Sequence, residues 1–167
     1  MRWERLFADL EAEAAEMEAR ARDAEIAERT RAEIAAVRWL QRLRGATGTT
    51  VSLAMAGAGP LSGRVRYVGP DWVLVDVVGQ DVLVPAAAVL GVTGLGTAAP
   101  PDVERVPLTW AAAWRTLSRD RAVVRVERTD GSVVSGRVDR VGADFVEVSG
   151  VLVPFTAVRA GYAPREW

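Results

Sequence analysis

Few side chains in this 167-residue chain could do chemistry, and the missing ones narrow the field first. There is no His, no Cys, no Lys and no Asn, so every basic side chain is an Arg. Without Cys or His there is no zinc or haem ligand set of the usual kind and no Ser-His or Cys-His nucleophile. Without Lys there is no phosphate-loop lysine and no Schiff base. Carboxylates remain. Asp71 and Asp144 each precede an aromatic, Trp72 and Phe145, at places that correspond in an internal repeat. A duplicated acid-base or metal pair would have this pattern, and so would a turn Asp that caps its own backbone; the turn is the simpler reading. Gly91, Gly94 and Gly96 have neither the spacing nor the following helix of a dinucleotide-binding loop. The expectation is a non-enzymatic protein with no catalytic residue, no metal ligand and no cofactor.

Two sets of residues suit binding instead. Arg64 and Arg66 in the first copy of the repeat, and Arg137 and Arg140 in the second, fall on the same strand of each copy and form the best candidate for a basic patch. Such a patch could contact nucleic acid, with Phe155 or Tyr162 as stacking partners. Against that, 21 basic and 22 acidic residues leave a formal charge of −1, which gives no global pull toward a polyanion, so a solvated strand face explains the arginines as well. The second set is Trp3, Phe7, Leu10 and Met17, a candidate association face near the amino terminus.

The elements that must carry these residues follow from pattern. Residues 3–44 contain neither Gly nor Pro and are rich in Ala and Glu, which predicts one long helix as a segment of its own, residues 1–45. Trp3, Phe7, Leu10, Ala14, Met17, Ala21 and Ala24 follow a four-three rhythm that breaks at Glu28 and Arg31 and resumes on a shifted face with Ile34, Val37, Leu40 and Leu43. Two readings fit the seam: packing against the protein's own body, or self-association through a coiled coil. Acidic residues early, Arg38, Arg42 and Arg44 late, and Gly45 at the end suit a helix dipole and its stop.

The rest of the chain repeats itself. At an offset of 73, Val51 matches Val124, Ser62-Gly63-Arg64-Val65 matches Ser135-Gly136-Arg137-Val138, and Asp71 matches Asp144; at an offset of 69, Val82-Leu83-Val84-Pro85 matches Val151-Leu152-Val153-Pro154. The four-residue difference falls in the turn at 77–81. Each copy reads as five short half-buried strands: Val124 and Val126 alternate with polar residues, Asp130-Gly131 marks a hairpin, and a third strand, a fourth and a last one near Val158 follow. Closing five such strands into a small barrel would remove exposed edges, with Gly63 and Gly136 at the bends. The expected fold is α+β, mainly β: a long N-terminal helix, a first barrel at 46–96, a linker at 97–107, and at 108–167 a short helix with Trp110, Ala113, Trp114 and Leu117 on one stripe, followed by a second barrel.

This order, with the Asp130-Gly131 turn, Gly136 and the apolar strand after it, resembles the Sm-like (LSm) barrel family over roughly residues 50–95 and 121–162, within the wider class of SH3-like small barrels. The Val-Pro strand endings also look like PRC-barrel modules, and the whole architecture is similar to a group of actinobacterial proteins. The resemblance implies interaction and scaffolding. The base-binding pocket of the Sm-like family is not implied: its Asp position carries Gly69 and Gly142, its Asn position Val73 and Val146, and its Arg-Gly pair Pro85-Ala86 and Pro154-Phe155.

For partners, the expectation is another protein or a second copy of the chain, as a homo-oligomer, with RNA or DNA as the alternative. No membrane partner is expected: charges in Met1-Arg2-Trp3-Glu4-Arg5 argue against a signal peptide, and the uncharged stretches 45–63 and 82–101 are broken by Gly, Pro, Thr and Ser. A chain free of Cys suits a cytoplasmic location.

Overall fold

A computed structural model describes residues 2–100 and 107–165, without the side chains of residues 2–6, 8 and 9. The chain divides into two compact units, residues 1–38 and residues 39–167.

The first unit is one helix, α1 (Arg2–Ala36). Its described side chains are exposed, with Ala27 alone half-buried. Arg20–Glu16 and Arg22–Glu18 ion pairs lie along it at four-residue spacing, the interval at which helical side chains are neighbours. The single helix predicted from the sequence is interrupted at Val37 and Arg38, and α2 (Trp39–Gly45) belongs to the second unit. The break separates segments with different tasks: Leu43 of α2 is fully buried, whereas Phe7, Leu10, Met17, Ile26 and Ile34 of α1 are each more than half exposed.

The second unit holds ten antiparallel strands. The first five are β1 (Thr50–Met55), β2 (Leu61–Val68), β3 (Trp72–Val77), β4 (Gln80–Pro85) and β5 (Val89–Thr93), with a 3-10 turn at Ala86–Ala88. Helix α3 (Trp110–Arg119) follows, then β6 (Val123–Arg128), β7 (Val133–Val141), β8 (Phe145–Val148), β9 (Val151–Pro154), a second 3-10 turn at Phe155–Ala157, and β10 (Val158–Pro164). The predicted repeat therefore reappears element by element, down to the 3-10 turn before each fifth strand. β2 pairs with β1 up to Arg64 and with β3 beyond it, and β7 passes from β6 to β8 after Arg137. The strands bend beside these handovers. A Cβ on Gly63 would run into the Asp76 carbonyl, and Gly136 adopts φ +148, a backbone that favours Gly.

Spatially the strands run β5-β1-β2-β3-β4-β10-β6-β7-β8-β9 in one sheet. Among the described residues no ladder closes either five-strand run on itself, which differs from the expected closure. The free edge of β4 is satisfied by β10 instead, Gly161 opposite Leu83 and Tyr162 opposite Val82. The two runs are thus fused edge to edge.

Two cores result. One holds Leu43 of α2 with Val51, Leu53, Val65, Val73, Val75, Val82 and Val84, and takes in Ala160 from β10. The other packs Trp110, Ala113 and Trp114 of α3 on Val124, Val126, Val138, Val146 and Val148, and takes in Trp72 and Leu83 from the first run. The predicted stripe on α3 is the face it buries. Because alternate residues of a strand face opposite sides, β4 sends Val82 and Val84 into one core and Leu83 into the other. It is a shared wall.

Candidate functional site

The four candidate arginines have different fates. Arg64 donates its Nε to the Gly48 carbonyl at 2.6 Å, and Arg66 pairs with Asp81 at 2.8 Å, so both in the first run are engaged. Arg137 and Arg140 on β7 are exposed and form no ion pair among the described residues. Their proposed stacking partners are occupied. The Phe155 ring lies 6.0 Å from that of Trp110 in an edge-on contact, and the Arg125 guanidinium sits 3.8 Å above the Tyr162 ring. Of the association face, Phe7, Leu10 and Met17 are exposed on α1, and the side chain of Trp3 lies outside the described residues.

Asp71 does something other than the expected capping of its own turn. Its carboxylate accepts a hydrogen bond at 3.2 Å from the backbone N–H of Trp110, the first residue of α3, while Thr109 caps the same helix by accepting from Ala112. Trp72 donates its indole N–H to the Leu108 carbonyl at 2.7 Å, and the Tyr67 hydroxyl accepts from the Leu108 N–H at 3.2 Å. The turn before β3 therefore holds the start of α3, a negative side chain meeting a helix amino terminus as the dipole favours. Among the described residues Asp144, its counterpart, accepts only through its backbone, from Phe155 N–H at 2.7 Å. The paired-carboxylate site does not assemble, and among the described residues no cluster of acidic side chains could hold a metal.

The most connected polar groups are ones the sequence did not single out. Arg159 on β10 is only 7% exposed. It pairs with Glu127 of β6 at 3.0 Å and donates to the Gly57 carbonyl of the first run at 3.0 Å. Glu127 also receives Arg125. Burial pushes the Glu127 carboxyl up, but the hydrogen bonds from Arg159 and Arg125 outweigh it and hold the group below its ordinary value. At the other end of the β4·β10 ladder, Arg165 reaches Asp76 at 2.6 Å and Asp81 at 3.6 Å. That hydrogen bond holds the Asp76 carboxyl below the ordinary range. The Arg159–Glu127 pair is largely enclosed, so parting it would leave a charge uncompensated, whereas the Arg165 pairs are partly exposed and weaker. A lone Arg amid Val158, Ala160 and Gly161 was the available signal for Arg159.

Two surface hollows lie on the second unit. One of about 420 Å³ lies between α3 and β7, lined by Leu108, Ala112, Arg115, Ser118, Arg119 and Val141. The other, about 300 Å³, runs along β5 beneath Trp39 and is lined by Val89, Leu90, Gly91, Val92 and Leu95. Neither brings an acid and a base together. Compared with family models, curated proteins and solved structures, the chain matches none. Among the described residues, no helix is long and apolar enough to cross a membrane.

Proposed function

We propose that this protein is a non-enzymatic interaction scaffold: two Sm-like or SH3-like small barrels, represented by the two five-strand runs, carry a helical segment for self-association or partner binding. The observation that carries the reading is α1, a 35-residue helix whose Phe7, Leu10, Met17, Ile26 and Ile34 all face solvent. A helix with exposed large apolar side chains gains stability by burying them on another surface. The repeated strand order, the bends at Gly63 and Gly136 and the helix before each run support the barrel description. Replacing Phe7, Leu10 and Met17 together with Asp should lower the mass seen by light scattering or lose the protein partner. An unchanged mass and an unchanged set of partners would remove α1 from this role.

The second reading is an RNA- or DNA-binding regulator, favoured by the exposure of Arg137 and Arg140 without acidic partners. Binding to labelled oligonucleotides at roughly 50 mM salt, weakened by added salt and abolished by Arg137→Ala with Arg140→Ala, is its expected signature. No binding at that salt removes it.

A further inference from the structure

The apolar seam of α1 is bordered mostly by charges of one sign. Phe7, Leu10, Ala14, Met17, Ala21 and Ala24 recur at alternating three- and four-residue steps, which places them along one side of the helix, and all six are exposed. On one border Glu11, Glu18 and Glu25 follow Leu10, Met17 and Ala24; on the other stand Glu13, Arg20 and Ala27. Arg20 is turned to Glu16 at 3.1 Å, so the one basic residue beside this seam is already matched within its own helix. Among the described residues Glu11, Glu13 and Glu25 form no ion pair. Glu18 has a loose pair with Arg22 at 3.5 Å, and its side chain stays 74% exposed.

Border residues select the partner of such a seam, because they face the borders of the neighbouring helix. A second copy of α1 is a poor match in either direction. Laid antiparallel, seam on seam, Glu18 meets Glu18, Glu11 meets Glu25 and Arg20 meets Arg20. Laid parallel, each Glu13 meets a Glu18, and this repulsion cancels the attraction between Arg20 and Glu25.

Size is no better matched than charge. In a parallel pair of copies Ala14, Ala21 and Ala24 face their own kind, so half of the layers have little to bury. Facing positions pack well when a large side chain meets a small one. The alanines therefore suit a neighbour that supplies the bulk.

We propose that α1 pairs with a basic amphipathic helix of another protein, one that carries Leu or Ile along its seam and Arg or Lys along its borders. Large aliphatic side chains opposite Ala14, Ala21 and Ala24 fill the layers that a second copy leaves thin. Cations opposite Glu11, Glu18 and Glu25 replace repulsion with attraction along the whole border. The acidic character is continuous, since residues 9–18 hold five acidic side chains and no basic one. The paired stretch stops after Ala24, where Glu28 and Arg31 take the next seam positions, so it spans about 18 residues, or roughly 27 Å. This inference rests on the reading of α1 as an association segment and names the chemistry of what it associates with.

The test uses the full-length chain and two dye-labelled synthetic helices of about 18 residues, alike in their Leu seams, one bordered by Arg and the other by Glu. The protein should bind the Arg-bordered helix at least roughly tenfold more tightly than the Glu-bordered one, and a Glu11→Arg, Glu18→Arg, Glu25→Arg variant should reverse that order. Leu10→Asp with Met17→Asp should weaken binding of the Arg-bordered helix at least roughly tenfold although it makes α1 more acidic, which separates seam packing from plain attraction between opposite charges. Circular dichroism checks that each variant keeps its helix content. Binding of both helices equally, binding of neither, or an order that charge reversal leaves unchanged overturns the proposal. So does a wild-type dimer in sedimentation that Leu10→Asp with Met17→Asp dissolves, since a second copy would then be the occupant while the association role of α1 stands. Failure of that wider role has its own sign: the Phe7, Leu10 and Met17 variant keeps both its mass and its protein partners, and that outcome removes both readings.

Discussion

In the first run β3 opens with Trp72 and the covering helix, α2, has seven residues; in the second β8 opens with Phe145 and the helix, α3, has ten. The first core is almost wholly aliphatic, centred on Leu43, Val65 and Val75, while the second gathers Trp72, Trp110 and Trp114 in successive tilted and edge-on contacts. Yet the strand order within each is the same. The comparison teaches that the strand plan depends on features both copies kept, alternating Val and a bending Gly, while divergence collected where the copies touch: Arg159, Arg165, Asp76 and Asp81 have no charged counterparts in the other copy. The two runs share one strand plan, and the charged pairs stand on the faces where they meet.

Emptying the two cores in turn is the largest perturbation. Trp114→Ala removes a fully buried ring and should cost about 3–5 kcal/mol, and Leu43→Ala in the other core about 2–5 kcal/mol. Since β4 and β10 line both cores, each variant should unfold residues 39–167 in a single transition in urea. Separate transitions for the two halves would break the shared-wall account. Next comes the clamp. Arg159→Ala leaves Glu127 half-enclosed without its main partner and should cost about 3 kcal/mol, more than Arg66→Ala, whose exposed pair with Asp81 contributes no more than about 1 kcal/mol. Equal losses from both would place the junction's specificity elsewhere.

Acid provides a third, milder probe. Glu127 and Asp76 are held below their ordinary values of 4.5 and 3.8, so the unfolded chain takes up these protons first. Their contribution is complete above that range and declines as pH falls through it toward the lower folded values. The urea midpoint should therefore drop on acidification, and Glu127→Gln with Asp76→Asn should flatten the drop. The smallest effect belongs to Arg137→Ala with Arg140→Ala, two exposed side chains on β7: thermal unfolding should shift by no more than about 0.5 kcal/mol. A larger loss would show that these arginines support the second run.

Much of the strand plan was legible because its signals are local. Val124 and Val126 alternate with charged neighbours, Asp130-Gly131 turns the chain, and Ser-Gly-Arg-Val occurs twice. The Trp110, Ala113, Trp114 stripe on α3 was equally plain. The junction was hidden for a physical reason: β4 and β9 share the sequence Val-Leu-Val-Pro, and only the residue across the ladder decides which of them is covered. The interruption after Ala36 was hidden as well, since good helix formers run from residue 3 to residue 44 and packing of Leu43 overrides propensity. Of the candidate sites, Arg137, Arg140, Phe7, Leu10 and Met17 are exposed as a binding role requires, while Arg64 and Arg66 are held by neighbours that spacing alone does not reveal.

One feature of the sheet bears on how the protein is made. β10 is the tenth strand in sequence but the sixth in space, wedged between β4 and β6. A nascent chain leaving the ribosome exposes Val82 and Leu83 first and must wait some 75 residues for the strand that covers them, several seconds at ordinary rates of about 5–20 residues per second. During that interval the β4 edge of the emerging chain lacks the strand that pairs with it in the finished sheet.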